Sequence, residues 1–130
     1  MKTKLPFLGF VLILGIKLGL AVAGSPQVHQ VSIKAGTFKF TPETLTIRTG
    51  DTVRWVNEDP QEAHFLIDDF FSQPGAQPEI VSKTLQPGEM TEHTFLHPGR
   101  FPYHCFFHFQ QHQMKGVVIV EGEDLAPLPF

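Results

Sequence analysis

After residue 24 the chain is made of short segments in which apolar and polar residues alternate, and no helical periodicity persists beyond a turn or two. Val31 and Ile33 alternate first, then Phe38 and Phe40, Leu45 and Ile47, and Val53 and Trp55. His64 to Ile67, Val81 to Leu85, the Thr91, His93, Phe95 set, the Phe101, Tyr103, Cys105 set and Val117 to Val120 follow. Thr49-Gly50-Asp51, Pro87-Gly88 and Pro98-Gly99 supply turns between them, and residues 68–80 read as an irregular excursion. An alternating segment buries one face and wets the other, so the pattern predicts an all-β domain of seven or eight antiparallel strands, a sandwich or a barrel. The 130 residues suffice for one such domain. Thirteen Phe give it ample apolar material for a core.

Residues 1–23 carry a different pattern. Lys2 and Lys4 precede a largely apolar run from Leu5 to Leu20, and Ala21-Val22-Ala23 offers a small-residue cleavage site. That is the three-part layout of a secretory signal peptide cleaved after about Ala23, which points to the periplasm. Lys17, inside the apolar run, leaves an uncleaved N-terminal anchor as the alternative. The domain is expected over residues 24–121, with a short Pro-containing tail over 122–130. Loss of the signal removes three lysines and no acid, so seven basic face thirteen acidic residues, a net charge of −6. Such a chain is a poor ligand for nucleic acid or an anionic membrane.

Export makes the cysteine count informative. A lone Cys105 cannot form an internal disulfide, so its thiol is buried and inert, paired with another chain, or committed to chemistry. Its neighbours favour chemistry. Tyr103 to Met114 brings together one thiol, one thioether and three imidazoles between two strand segments. One thiolate, two imidazoles and a weak thioether form the donor set of blue-copper electron-transfer sites. Cys105, His108 and Met114 supply three of these donors, and His64, seven residues past Asn57, is the candidate for the second imidazole.

At these residues the chain resembles the cupredoxins, the small blue-copper proteins, in their plastocyanin, pseudoazurin and amicyanin branch. Gly50-Asp51-Thr52-Val53-Arg54-Trp55-Val56-Asn57 looks like the family's strand leading to the first His ligand, and His64 stands where that ligand is expected. Leu85 to His104, with Pro87-Gly88-Glu89 and Pro98-Gly99, resembles the run into the Cys. Cys105-x-x-His108, then Met114-x-Gly116 and a Val-rich strand, resembles the ligand loop and closing strand. The resemblance covers most of residues 28–121. It implies an eight-stranded Greek-key β-sandwich with one copper ion at one end, held by His64, Cys105, His108 and Met114.

Two departures qualify it. Five residues separate His108 from Met114, against the family's usual two to four, and His112 lies among them. His112 could replace Met114 and give a red-copper-like Cys-His site, the chemistry of a copper enzyme or sensor. Gly116, in the family's register after Met114, favours Met114. Phe65 follows His64 where relatives often carry a small polar residue, so Phe65 can offer only its backbone N–H to the link between the two ligand loops, directed at the Cys105 sulfur.

The remaining candidates read more plainly. His104 should face away from Cys105 on its strand, His93 reads as a hydrogen-bonded core histidine, and His29 and His97 as surface or turn residues. Glu58, Asp59, Glu62, Asp68 and Asp69 read as a solvated acidic face able to steer a basic partner. Phe106, Phe107 and Phe109 cannot all point inward, so an apolar rim beside His108 is expected, where redox proteins would dock transiently. The expected function is a monomeric, exported one-electron carrier rather than an enzyme. Storage or delivery of copper is the further alternative, and the mature chain's few soft donors (Met90, Met114, Cys105) count against it.

Overall fold

A computed structural model describes residues 24–69, 79–80 and 82–125. The segment read as a signal peptide, most of the 68–80 excursion and the end of the tail lie outside the described residues. In chain order the elements are β1 (Val28–Lys34), β2 (Phe40–Thr41), β3 (Thr44–Arg48), β4 (Thr52–Glu58) and β5 (His64–Asp68). They continue with β6 (Lys83–Leu85), β7 (Met90–Thr94), β8 (Gly99–Cys105), α1 (Phe109–His112) and β9 (Lys115–Glu121). One sheet has the order β2-β1-β4-β7, the other β3-β9-β8-β5-β6.

The β-sandwich follows the expectation, with two corrections. The described residues hold nine strands rather than seven or eight, because the Phe38–Phe40 segment yields a separate two-residue strand, β2. The sheets are mixed rather than antiparallel: β1 runs parallel to β4, and β3 parallel to β9. Alternation reports only that a strand has one buried face; it carries no information on a neighbour's direction. That direction is set by the connections, which between β1 and β4 cross to the other sheet and return.

Each sheet turns its alternate residues inward. Val31, Ile33, Val53 and Trp55 come from one sheet, and Ile47, Leu66, Tyr103, Cys105, Val118 and Val120 from the other, in one buried cluster. Trp55 meets Tyr103 edge-on with ring centroids 5.5 Å apart, and Phe40 does the same at 4.8 Å. Tyr103 pairs with Gly116 across β8 and β9. A Cβ on Gly116 would lie 2.5 Å from the Tyr103 ring, so the glycine is a steric requirement of the core. Gly116→Ala is therefore expected to destabilise the domain by about 1–3 kcal/mol through overpacking, measured by urea unfolding. A loss under about 0.5 kcal/mol would show that the ring has room to move. Among the described residues no helix is long and apolar enough to cross a membrane.

Candidate metal centre

Strand periodicity delivers two of the donors. His64, Leu66 and Asp68 occupy the buried positions of β5, and Tyr103 and Cys105 those of β8. Leu66 pairs with Cys105 across the two strands, so His64 lies one inward step beyond, at the end of the sandwich. The chain turns directly after Cys105, with the His108 N–H donating to the Cys105 carbonyl at 3.2 Å. That tight turn folds the His108 ring back over the thiol. The Cys105 N–H donates to the Met114 carbonyl at 2.9 Å and closes the loop. Its extra length is absorbed by α1, where the His112 and Gln113 N–H groups donate to the His108 and Phe109 carbonyls at 3.0 and 2.8 Å. Gln113 ends this turn of helix in the left-handed region, at φ +51°.

Three donor atoms converge as a result. Cys105 Sγ lies 3.7 Å from His64 Nδ1 and 3.5 Å from His108 Nδ1, and the two Nδ1 atoms are 3.2 Å apart. A point about 2 Å from all three exists inside this triangle, close to the length of a metal–imidazole bond. Two imidazole lone pairs and a thiol aimed at one point repel one another unless a proton or a cation lies between them. His64 and Cys105 are fully buried and His108 is half-buried, so water cannot relieve that repulsion freely. A soft-to-borderline cation preferring N₂S ligation fits the donor set.

The electrostatics keep the imidazoles neutral and ready to ligate. Burial, reinforced by the nearby His108, pushes the His64 pKa down to about 4. Burial also lowers that of His108. In the metal-free protein, His64 thus stays neutral while an unfolded chain would take up a proton below its ordinary value of 6.5. Stability is full above that pH and falls as pH drops toward 4. The expected slope is about 1.4 kcal/mol per pH unit for this proton, read from unfolding of apo protein. His64→Phe should flatten it, and an unchanged slope would show that His64 titrates as it does in the unfolded chain.

The loops around the donors are tied by buried polar groups. The Phe106 N–H donates to the Phe65 carbonyl at 2.9 Å, so the two ligand loops are linked through the Phe65 carbonyl as acceptor rather than through the expected Phe65 N–H. The fully buried Asn57 side chain donates to the Glu62 and Leu85 carbonyls at 2.8 and 3.0 Å. Its Oδ1 accepts the Asp59 N–H at 3.0 Å. In the sequence Asn57 stands out only as a landmark before His64; its place on the inward face with Val53 and Trp55 is the signal that marks it as a buried polar tie.

A family model described as a cupredoxin-like domain matches residues 7–120. The chain belongs to the cupredoxin-like family. Plastocyanin from Synechococcus sp. (strain JA-2-3B'a(2-13)) is 32% identical over 119 residues, 80% of this chain and 85% of that protein. A purple cupredoxin from Nitrosopumilus maritimus superposes with a TM-score of 0.58 at 27% identity, over 71% of this chain and 98% of that one. A mutant amicyanin in its reduced state gives a TM-score of 0.57 at 27% identity, over 78% and 87% of the two chains.

In this cupredoxin the other singled-out residues distribute as follows. Met114 is buried, at the end of the loop that Cys105 opens. His112 is exposed and stacks on Phe38, with centroids 4.1 Å apart and planes within 8°. His104 faces away from Cys105 and bonds Asp69 at 2.6 Å. His93 is half-buried rather than a core histidine, bonded to Glu79 at 3.1 Å and edge-on to Phe95. His29, read as a surface residue, bonds the buried Asp51 carboxylate at 2.8 Å, and His97 bonds Asp124. The acidic face needs correction. Glu58 and Glu62 are exposed, but Asp59 and Asp68 are buried, because their carboxylates accept backbone N–H groups. Asp59 takes those of Gly36, Gln61 and Glu62, and Asp68 those of Glu79 and Ile80. The apolar rim is present: Phe106 and Phe107 are 61% and 52% exposed, with Phe65 packed beneath both.

Proposed function

We propose that this cupredoxin is an exported one-electron carrier that would hold a single copper ion through His64, Cys105 and His108, with Met114 as a weak fourth donor. The convergence of one thiol and two imidazole nitrogens within 3.2–3.7 Å of one another carries the reading. Copper, when bound, supplies the Cu(II)/Cu(I) couple. Cys105 supplies a thiolate, its proton displaced on metal binding. His64 and His108 supply neutral imidazoles from rigid strands and a tight turn, so the donors need to move little between redox states. The His112 ring is engaged with Phe38 on the outside of the loop, which favours the buried Met114 over His112 as the fourth donor.

Electrons enter and leave through the half-buried edge of His108. Phe106 and Phe107, beside it, offer an apolar surface on which a redox protein docks briefly, and the chain acts as a monomer. Residues 1–23 serve as the signal for export to the periplasm, removed after about Ala23. The net charge of −6 after that cleavage disfavours nucleic acid and anionic membranes as partners.

The test is voltammetry of the copper-loaded protein with and without azide. A reversible one-electron wave and a visible spectrum insensitive to azide are expected. An azide-dependent spectrum would instead indicate an open coordination position and an enzyme or sensor.

A further inference from the structure

A loop remote in sequence from every donor closes over the imidazole side of the site. It runs between β1 and β2 and carries Phe38 at φ +46°, a left-handed conformation that an aromatic residue keeps only when its surroundings hold it there. The Phe38 ring is stacked on His112, lies 4.8 Å from the His108 ring and meets His64 edge-on at 6.5 Å. One aromatic ring thus touches both imidazoles of the donor triangle and the short helix that follows them.

The loop is anchored by a carboxylate. Asp59 Oδ2 accepts the Gly36 N–H at 3.1 Å, two residues before Phe38. The other oxygen, Oδ1, accepts the Gln61 and Glu62 N–H groups at 2.9 and 3.2 Å, in the segment that leads into His64. Asp59 is 3% exposed, and its own N–H is held by Asn57. A single buried side chain therefore joins the His64 loop, through one oxygen, to the Phe38 loop, through the other.

We propose that Asp59 and Phe38 form one positioning unit for the metal site, in which Asp59 Oδ2 fixes the loop so that the Phe38 ring wedges against His108 and α1 and sets the orientation of the His108 imidazole. The unit rests on the reading of His64, Cys105 and His108 as copper ligands. Neither residue is among the three donors; both act through His108. Removing either lets the ring of His108 rotate and the loop loosen, which weakens the site and changes its redox behaviour.

The two oxygens make the proposal separable from simple structural support. In Asp59→Asn the carbonyl oxygen can keep the Gln61 and Glu62 bonds while the amide NH₂ faces the Gly36 N–H, so only the tie to the Phe38 loop is cut. Copper affinity by chelator competition, reduction potential and the paramagnetic spectrum are measured for D59N, F38A, the double variant and F38W. Each of D59N and F38A is expected to weaken copper binding about tenfold, as loss of a group that orients a metal ligand typically does, and to shift the potential. The double variant should be no weaker than the weaker single, because both act on one path, and F38W should keep the wild-type values by retaining a stacking ring. Unchanged affinity and potential in D59N and F38A, with only unfolding stability reduced, would overturn the proposal. Fully additive effects would overturn it too. Absence of copper uptake with thiolate absorption in the wild-type protein would overturn both the proposal and the ligand reading beneath it.

Discussion

Cys105→Ser is expected to abolish the intense visible absorption of the copper-loaded protein and its reversible electron transfer, while the sandwich still folds. The absorption depends on a thiolate bound to Cu(II); a serine hydroxyl stays protonated near neutral pH and is a hard donor that copper binds weakly in this setting. The side chain is fully buried between His64 and His108, and serine is close in size, so no cavity of consequence results. Its hydroxyl can donate to one of the two Nδ1 atoms, which keeps the structural cost to about 1–2 kcal/mol. Visible spectroscopy of the copper-loaded variant, paired with thermal unfolding of the apo form, separates loss of chemistry from loss of fold. A strong visible band in the serine variant would remove Cys105 from the site.

Asn57→Leu should give the largest loss of stability that a single change near the site can cause without touching a donor. The substitution keeps the branched shape, though with somewhat larger methyl groups, and removes all three side-chain hydrogen bonds. The buried Leu85 carbonyl and Asp59 N–H are left without their partner, and the part-buried Glu62 carbonyl loses its own. Each stranded group costs about 1–3 kcal/mol, and because the loops can relax together the sum should come to about 3–5 kcal/mol. The backbone bonds of Asn57, from its N–H to the Glu89 carbonyl and from the Gly88 N–H to its own carbonyl, remain. Relaxation of the segment between Asn57 and His64 should also lower copper affinity about 10–100-fold, since that segment positions His64. Urea unfolding of the apo protein and chelator competition of the loaded protein report the two effects. A stability change under about 1 kcal/mol would mean that water or a rearranged loop replaces the lost bonds.

Which parts of this cupredoxin can be read from sequence follows from what each signal encodes. Val53, Trp55 and Asn57, or His64, Leu66 and Asp68, share a face because strand side chains alternate, and that periodicity is written in the chain. Cys105 and His108 meet because a turn brings residues three apart together, again a local matter. The parallel pairing of β1 with β4 and of β3 with β9 is not local, since it depends on where the chain crosses between sheets. Helix α1 is a single turn, too short to leave a periodic trace. Asp59 and Asp68 read as solvated because acidic side chains usually are. Their burial depends on backbone N–H groups from other segments, which no pattern of side chains reveals. Phe38 is legible as an apolar strand residue, but its place against His108 and His112 arises only when the sandwich brings distant loops to the same end.

The central claim is that His64, Cys105 and His108 form one copper site with a thiolate ligand. Titration of the apo protein with Cu(II), followed together by visible absorption and electron paramagnetic resonance, tests it most directly. The expected result is an intense thiolate-to-copper band that saturates at one equivalent, with narrow hyperfine splitting, and that vanishes reversibly on one-electron reduction. A colourless titration, or a signal that keeps growing past one equivalent without a thiolate band, would contradict it.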